Sequence, residues 1–282
     1  MPFILICATL GDRLAELKRL INSLENQDYN EWKLIIVHQG TRNRELLEQM
    51  SKSQRIEYIN SSKKGLSLAR NLALKLLERR HIDSDCIIGY PDDDCYFSKN
   101  TLSIVAEFLK KYNSFVFQYG EQIDSEKSIE IKPLPKILIS NSPSIGIYHR
   151  YNKNLYFDEL FGLGSKFPSC EDSDFVHQLS KRSTVAFTNN QLIYHEQCDG
   201  REHFKIEVGL NAVYGMGAFL AKMIIYEKQY HYLIFIITFI VKQIGGIILG
   251  THKGRLFHLK SIQRLFKGFK EYLMEKKKND IR

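Results

Sequence analysis

The sequence predicts an α/β fold in which a mostly parallel sheet is flanked by helices and followed by a helical C-terminal region. Three observations predict it. Strand-like and helix-like apolar patterns alternate through the first half of the chain, three consecutive aspartates follow a short apolar run, and the composition becomes first apolar and then basic near the C-terminus. Alternation with short connections favours parallel strands, because each crossover helix returns the chain to the same edge of the sheet.

The first half of the chain supplies the clearest elements. Leucine and isoleucine recur at three- and four-residue spacings from Leu14 to Leu24, which predicts a helix with Asp12 as its N-cap. The other elements follow from the same rules. Strands are predicted at residues 3–9, 32–40, 55–60 and 86–89, and further helices at residues 44–51 and 67–80.

The second half is less regular. A helix is predicted at residues 98–112 and a strand at 114–120, whereas residues 121–142 are polar and irregular. Strand character resumes at residues 143–150 and again at 192–197, which include His195. Between these strands, Gly162 and Gly164 predict a flexible loop that leads into an amphipathic helix over residues 171–181.

Composition limits the classes of protein. A chain of 282 residues with 44% hydrophobic content can bury one substantial core or one domain plus an appendage, which excludes a disordered or fibrous protein. The five cysteines contain no CxxC pair, so we expect reduced thiols and neither a disulfide framework nor a zinc site. The first apolar run, residues 3–9, is short and lacks a basic flank, so we expect a first strand and no signal peptide.

The stretch Cys86 to Phe97 carries the strongest chemical signal. Its apolar strand stops at Pro91, and Asp92, Asp93 and Asp94 follow directly. Adjacent carboxylates repel one another, and a divalent cation with oxygen ligands such as Mn²⁺ or Mg²⁺ relieves that repulsion while holding a diphosphate. The alternative is an acidic turn, because aspartate is common in turns.

Other polar residues are expected at the same edge of the sheet. Ligands of parallel α/β sheets bind beyond the carboxyl ends of the strands, where Thr9, His38 and the three aspartates would lie. Glu171 and Asp172 begin a helix that follows a loop, a position suited to an exposed general base. The alternatives are that acids at a helix start interact only with the helix dipole, and that His195 is a structural histidine.

Taken in order, these motifs resemble the family 2 inverting glycosyltransferases with a GT-A fold. The resemblance covers residues 3–200 and rests on Thr9 at the end of strand one, IIVHQG at strand two, KKGLSLARNLAL at residues 63–74, the PDDDC turn, and FGLGSKFPSCEDSDF at residues 161–175. The chain departs from many relatives at the end of strand two, where His38 and Gln39 stand in place of an aspartate.

The resemblance implies roles for particular residues. Asp92 and Asp94 would contact the ribose of the nucleotide and the metal that bridges the diphosphate, and Asp93 would also contact the nucleotide sugar. His195 would be a further metal ligand. Asp172, preceded by Glu171, would be the catalytic base. The remaining implied residues border the nucleotide: Thr9, Gly65, Arg70 and Asn71.

The C-terminal region predicts membrane association. Residues 230–250 are strongly apolar, but the uninterrupted core, Tyr232 to Val241, is only ten residues before Lys242 and Gln243. That is short for a span, which needs about twenty residues. Residues 251–282 contain ten Lys and Arg against three acids, a net of +7 out of the formal +8 of the whole chain.

Apolar residues in that basic segment recur at the spacing of an amphipathic helix, at Leu259, Ile262, Phe266, Phe269 and Leu273. Such a helix fits the plane of an anionic leaflet, which indicates a peripheral or monotopic protein at the cytoplasmic face of the membrane and no nucleic-acid partner. Removing the chain from Tyr230 onward should then give a more soluble protein. The alternative is an ordinary helix packed on the catalytic domain.

The expected domains are a catalytic domain at residues 1–200, with a nucleotide half at 1–97 and an acceptor half at 98–200, and a helical region at 201–282. The expected function is metal-dependent transfer of a sugar from a nucleotide-sugar donor to a lipid-linked or growing polysaccharide acceptor. Two other functions stay open at this point: a non-catalytic sugar- or lipid-binding module on the same fold, and a metal-dependent nucleotidyl or phosphoryl transferase.

Overall fold

The structure is a computed structural model that describes residues 1–51, 53–120, 129–134, 142–195 and 202–280. The chain divides into two compact units. The first contains Met1–Glu159 and Asp172–Gln197, and the second contains Leu160–Glu171 and Cys198–Arg282. The second unit therefore takes a short internal segment as well as the C-terminal region.

The first unit is built on one sheet flanked by helices. Among the described residues the strands are β1 (Phe3–Thr9), β2 (Trp32–His38), β3 (Ile56–Asn60), β4 (Ile87–Gly89), β5 (Cys95–Phe97), β6 (Ser114–Gly120), β7 (Lys132–Pro133), β8 (Ile147–Arg150) and β9 (Val185–His195). The helices are α1 (Leu14–Glu25), α2 (Arg44–Met50), α3 (Leu66–Arg79), α4 (Thr101–Lys111) and α5 (Glu171–Ser180). The strand order is β3-β2-β1-β4-β8-β6-β9-β5, with β7 paired to β9.

The sheet is parallel in its first part and mixed in its second. Strands β3, β2, β1 and β4 are parallel, as the alternating pattern predicts. Strand β8 runs antiparallel to both β4 and β6, and β9 runs antiparallel to β5 and β7. Strand direction depends on pairing across the sheet, so the local patterns of the second half do not reveal it.

Both faces of the sheet are covered. Phe3, Leu5 and Cys7 pack into one apolar cluster with α1 and α4, whereas Ile4 and Ile6 pack into a second cluster with α3 and α5. A strand that is buried on both faces reads as a continuous apolar run, which explains FILICAT. Cys7, Cys86, Cys95 and Cys170 are free thiols, and Cys198 lies outside the described residues.

Strand β5 is an element that the sequence does not predict. It contains only three residues, too few for a periodic signal, and it pairs antiparallel with β9 so that Cys95 lies opposite His195. The predicted strand at residues 192–197 is the end of a longer strand, and its last two residues lie outside the described part of the chain. The pairing brings the end of β9 beside the three aspartates.

The second unit is helical. It contains α6 (Glu202–Ala221), a π-helical turn (Lys222–Tyr226), a 3-10 turn (Tyr230–Tyr232), α7 (Leu233–Leu249) and α8 (His252–Asp280). Helices α6 and α8 approach closely because each has a glycine at the crossing. A Cβ atom on Gly217 would lie 2.0 Å from the carbonyl oxygen of Leu265, and one on Gly268 would lie 1.9 Å from that of Tyr214.

The face that α8 buries differs from the apolar stripe in its sequence. Leu265 and Tyr272 are buried with Ser261, whereas Leu259 and Phe266 are about half exposed. Phe269 and Leu273 pack against the core of the second unit. Packing within the second unit therefore buries part of the apolar stripe that the sequence analysis assigned to the membrane.

Within the described parts of the chain, two helical segments are long and apolar enough to cross a membrane. The segment Ile206–Tyr226 has half of its most apolar window buried, as in a core helix, whereas Tyr230–Leu249 has only 11% buried. On α7 the exposed apolar side chains recur at three- and four-residue spacings: Ile234, Ile237, Val241, Ile244 and Ile248. We call these five residues the α7 stripe.

Candidate active site

The three aspartates occupy the turn between β4 and β5, at the carboxyl end of β4. Although they are consecutive, their side chains meet different partners. Asp92 pairs with Arg70, Asp93 accepts a hydrogen bond from Thr9, and Asp94 contacts both Arg13 and His195. Each carboxylate therefore has a partner that offsets the repulsion among the three adjacent negative charges, and Arg13 contacts Asp93 as well as Asp94.

Asp93 is the most enclosed of the three. It is 8% exposed, and the Thr9 hydroxyl donates to its Oδ2 at 2.7 Å while accepting from the Gly11 amide at 3.0 Å. Burial raises the pKa of Asp93 to about 6, although the hydrogen bond from Thr9 opposes the shift. Thr9, expected near the nucleotide, thus contributes its hydroxyl to holding the aspartate turn.

Asp92, Asp94 and His195 form the candidate metal site. One ligand atom from each lies within 4.8 Å of the others, and His195 Nε2 is 3.2 Å from Asp94 Oδ1. Two carboxylate oxygens and an imidazole nitrogen are a donor set that suits Mn²⁺, and the carboxylates suit Mg²⁺. The residues present therefore fit a divalent cation, and they are the three residues that the resemblance implied for the metal.

Electrostatics in this cluster follow from the partners. Burial raises the pKa of Asp92, which Arg70 opposes. Burial alone would also raise the pKa of Asp94, but the hydrogen bond and charge of His195, with the charge of Arg13, lower it. The same hydrogen bond raises the pKa of His195. Asp94 is thus the most readily ionised member of the site, which favours it as a metal ligand.

Arg13 is a site residue that the sequence analysis missed. Its Nη1 contacts Asp94 Oδ2 closely and lies 3.4 Å from Asp93 Oδ1. The prediction of Asp12 as N-cap is wrong: α1 begins at Leu14, Arg13 takes the N-cap position, and no side chain caps the helix. A basic residue in the short connection between the first strand and the first helix was the available signal.

Arg70 connects the aspartates to the predicted base. It is 1% exposed, and its Nη2 donates to Asp92 Oδ1 at 3.2 Å and to the Ser144 hydroxyl at 2.9 Å. The Ser144 amide in turn donates to Asp172 Oδ2 at 3.0 Å. Ser144 lies in a 3-10 turn just before β8, and sequence reasoning missed it because an isolated serine carries no pattern.

Asp172 is near enough to the metal cluster to act on it electrostatically. Its negative charge contributes to the raised pKa of Asp92. Asp172 is partly exposed, whereas its neighbour Glu171 is 8% exposed. Of the two acids predicted as catalytic, Asp172 is therefore the more accessible to a substrate.

Residues predicted to border the nucleotide lie around the start of α3. Gly65 adopts φ +142°, a backbone conformation that side chains disfavour, and its carbonyl accepts from Gln39 Nε2 at 2.9 Å. Asn71 is buried and exchanges hydrogen bonds with the backbone of Phe157, donating at 2.9 Å and accepting at 2.8 Å. Asn71 therefore anchors the segment that precedes α5.

His38 and Gln39, which replace the aspartate that many relatives have at the end of strand two, have structural roles. His38 is fully buried with Nδ1 2.9 Å from the Tyr58 hydroxyl, and Gln39 donates to the carbonyls of Lys63 and Gly65. Neither side chain presents a carboxylate at this edge. Beside them, a cleft of about 410 Å³ lies at the carboxyl ends of β2 and β3. Its lining is polar and partly basic: Gln39, Gly40, Thr41, Arg44, Asn60, Ser61, Ser62 and Lys64.

Comparison with known proteins decides the family. Residues 5–169 match the family model described as Glycosyl transferase family 2, which is more than half of the chain. The chain belongs to glycosyl transferase family 2. Of the functions that the sequence left open, the family selects glycosyl transfer.

A curated relative of this glycosyl transferase is WcaA of Escherichia coli (strain K12), named as a glycosyl transferase of colanic acid biosynthesis. It is 27% identical over 176 residues, which cover 60% of each chain. The match thus spans less than two thirds of that relative.

Solved structures support the GT-A fold of this glycosyl transferase. TarS 1-349 of S. aureus in complex with UDP-GlcNAc has a TM-score of 0.57 at 15% identity, covering 95% of this chain and 82% of that one. The mannosyltransferase PcManGT of Pyrobaculum calidifontis, in complex with GDP-Man and Mn²⁺, has a TM-score of 0.61 at 12% identity, covering 97% and 87%. The predicted α/β class is confirmed.

Proposed function

We propose that this glycosyl transferase is a metal-dependent inverting enzyme that moves a sugar from a nucleotide-sugar donor to a lipid-linked or growing cell-surface polysaccharide acceptor. The polysaccharide acceptor is supported by the name of the curated relative, which refers to colanic acid biosynthesis. The nucleotide-sugar donor is supported by the ligands named in the structures of TarS and PcManGT.

One observation carries the proposal. The hydrogen bonds of Arg70 and Ser144 connect Asp92, in the candidate metal site, to Asp172, at the start of α5. A donor diphosphate held at the aspartates would therefore place its sugar near a carboxylate that can accept a proton. Metal ligands and a general base are the two parts that single-displacement glycosyl transfer needs.

The reaction then follows from the residues. The acceptor hydroxyl attacks the anomeric carbon, Asp172 takes the hydroxyl proton, and the bond between that carbon and the diphosphate oxygen breaks. A single in-line displacement inverts the anomeric centre. Asp92, Asp94 and His195 would hold Mn²⁺ or Mg²⁺, which supplies Lewis-acid stabilisation of the departing diphosphate. Arg70 keeps Asp92 oriented through the step.

We propose that the cleft at the carboxyl ends of β2 and β3 binds the nucleotide base and thereby determines donor specificity. It contains Arg44 and Lys64, and a neighbouring cleft of about 310 Å³ adds Arg42 and Asp12. Since Gln39 uses its amide nitrogen inside the protein, recognition of the base would fall to groups such as Asn60 and the backbone.

Membrane association belongs to the same proposal. The α7 stripe is 47–64% exposed, and α8 carries most of the net positive charge beside it in the chain. Apolar burial and attraction to anionic lipid add, since each basic residue near such a surface contributes about 1 kcal/mol. We propose that the enzyme lies at the cytoplasmic face of the membrane, where nucleotide sugars are available.

Isothermal titration tests the proposal most directly. The full chain is titrated with UDP-, GDP- and dTDP-sugars, with Mn²⁺ and again with EDTA. One donor should bind with Mn²⁺ and lose most of its affinity with EDTA. Failure of every donor to bind, or affinity that EDTA leaves unchanged, would overturn the metal-dependent site.

The base is tested with that donor by release of the nucleoside diphosphate. Asp172→Asn should keep the donor affinity and lower turnover by about 10² to 10⁴, the usual weight of a general base. Glu171→Gln is the matched control and should retain most turnover. If the control loses turnover and Asp172→Asn does not, the base is Glu171.

A further inference from the structure

The loop Leu160–Glu171, here called the pre-base loop, directly precedes Asp172 in the chain but belongs to the helical second unit. Two of its aromatic side chains, Phe161 and Phe167, are fully buried. They pack with Tyr272 of α8, at ring-centroid distances of 5.8 Å each, and with the apolar core between α6 and α8. The loop is therefore part of the C-terminal core.

Polar contacts fix the loop to the same helices. Lys166 forms an ion pair with Glu275 of α8 at 2.5 Å, and the Ser169 hydroxyl donates to the Ala212 carbonyl of α6 at 2.9 Å. The approach at Ser169 is close, because a Cβ atom on Gly215 would lie 2.1 Å from its oxygen. The second half of the loop is thus attached to α8 at Lys166 and to α6 at Ser169.

The loop is also closed on itself. The Phe167 amide donates to the Leu160 carbonyl, and the Gly162 amide donates to the Phe167 carbonyl, each at 2.9 Å. Gly162 and Gly164 have positive φ, which lets the chain reverse there. The sequence reads as a flexible glycine loop, but these contacts hold one conformation from Leu160 to Ser169.

Two of the three acidic residues of α8 take part in this packing. The C-terminal segment has ten basic residues and only three acids, yet Glu275 contacts Lys166 and Glu271 accepts from the Tyr214 hydroxyl of α6. In a segment serving only to attract anionic lipid, acids would weaken the attraction. Their pairing indicates that α8 has a second task inside the protein.

We propose that α8, through the Lys166–Glu275 contact and the packing of Phe167 on Tyr272, positions the catalytic base. The inference rests on the proposed role of Asp172. Asp172 follows the last loop residue without a spacer, so a shift of the loop moves the first turn of α5. A displacement of 1 Å at a catalytic group can lower the rate about 10²-fold. Donor affinity should stay unchanged, because donor binding uses residues of other elements. Lys166 and Glu275 are positioning residues and touch no reacting atom.

A charge-swap series on the full chain tests this. Lys166→Glu and Glu275→Lys should each lower turnover by about tenfold or more, and the double swap should restore most of it, while the donor dissociation constant stays unchanged throughout. Turnover is the release of nucleoside diphosphate from the donor selected by titration, with water as acceptor. Lys166→Arg, which keeps the charge, should retain turnover.

The control is the exposed pair Lys110 and Glu107 on α4, whose swaps should leave turnover at the wild-type value. Hydrogen exchange supplies a readout that needs no substrate. Amides of residues 171–176 should exchange faster in each single swap and regain protection in the double swap, whereas α1 should be unaffected.

Three results would overturn the inference. Single swaps with wild-type turnover and exchange, beside an inactive Asp172→Asn variant, would show that α8 does not position the base and would leave the proposed function intact. Full turnover in Asp172→Asn itself would remove the proposed base and this inference with it. A double swap that stays impaired while the single swaps are impaired would also contradict a role for the ion pair.

Discussion

Single residues acquire their chemistry from neighbours that are distant in the chain. Asp92, Asp93 and Asp94 are identical in sequence, yet their pKa values shift in different directions because burial, Thr9 and His195 act on them unequally. Asp94 is held ionised and Asp93 resists ionisation. This division explains how three adjacent carboxylates can coexist in one turn.

The metal site gives the first prediction at this scale. Asp94→Asn should remove most of the Mn²⁺ affinity, because the amide lacks the charge and one acceptor oxygen of the site. Manganese binding to the full chain is measured by electron paramagnetic resonance without donor. Glu107→Gln is the control, since Glu107 lines a cleft with Met1 at the opposite end of β1. Equal affinity in both variants would contradict the site.

His149 gives a prediction about pH. It is 1% exposed, with Nε2 2.8 Å from the Tyr90 hydroxyl and Nδ1 2.7 Å from the Arg150 carbonyl oxygen. Burial, with a smaller contribution from the charge of Arg182, lowers the pKa of His149 to about 4, although the hydrogen bond to the Arg150 carbonyl opposes the shift. The unfolded chain thus binds this proton more readily than the folded one. The associated stability is complete above about pH 6.5 and is lost as the pH falls toward about 4.

Urea unfolding at pH 7 and pH 4.5 measures the effect. The wild-type protein should lose about 2 kcal/mol more free energy of unfolding between these pH values than His149→Gln, which cannot titrate. The comparison uses the pH dependence, so a uniform loss of stability in the variant does not matter. His252→Gln, at an exposed histidine, should behave like the wild type. Identical pH dependence in all three proteins would refute the prediction.

Elements of this protein are placed by pairing and packing that local patterns do not encode. Strand β5 has three residues, but its pairing with β9 brings His195 to Asp94. Helix α8 has a regular apolar stripe, but close contact with α6 through Gly217 and Gly268 selects a different buried face. Of the two helices, α7 consequently carries more of the exposed large apolar side chains than α8.

The α7 stripe leads to a prediction about lipid binding. Ile237 and Val241 are 60% and 64% exposed, so replacing both by Glu adds two negative charges to an apolar surface without opening the core. Flotation with anionic vesicles should fall sharply, because both the apolar and the electrostatic contributions weaken. High salt should release part of the wild-type protein, since screening affects only the charges.

Asn22→Glu with Gln54→Glu is the matched control, because it adds the same charge at exposed positions of the first unit. This control should float like the wild type. Equal flotation of both double variants would exclude the α7 stripe as the lipid contact. Resistance of the wild-type protein to alkaline carbonate would make α7 a membrane span.

For the whole molecule, the division into units changes the expected effect of truncation. The sequence suggests that removing residues 230–282 leaves a more soluble catalytic domain. In the structure, Tyr232, Leu265 and Tyr272 from the removed segment share a core with Phe161 and Phe219. Their loss would expose those aromatic side chains, and exposed apolar patches of this kind promote aggregation.

The truncated protein should therefore bind a hydrophobic dye strongly and aggregate more than the full chain, while any soluble fraction still binds donor through the first unit. Removal of residues 277–282 is the control, because the deleted segment begins after Leu273, the last residue of α8 that packs on this core. Static light scattering and dye fluorescence compare the three proteins. A soluble truncated protein without dye binding would show that the pre-base loop does not need these helices.

The sequence by itself determined the family and the alternation of the first half, and it supplied most of the candidate site residues. These features are local: an apolar run buried on both faces, leucines at helical spacing, and carboxylates directly after a strand. Asp92, Asp94 and Asp172 could be chosen because each sits beside such a pattern. The order of the motifs then identified the family before any contact was known.

Only the tertiary structure decided which residues meet. Ser144 and Arg13 carry no pattern of their own, and they join the site because a turn before β8 and the N-cap of α1 lie near the aspartates in space. The pre-base loop reads as flexible from its glycines, yet burial of Phe161 and Phe167 against α6 and α8 holds it. Contacts between residues more than a hundred positions apart, such as Lys166 and Glu275, depend on packing free energy summed over the whole core, which local spacing does not contain.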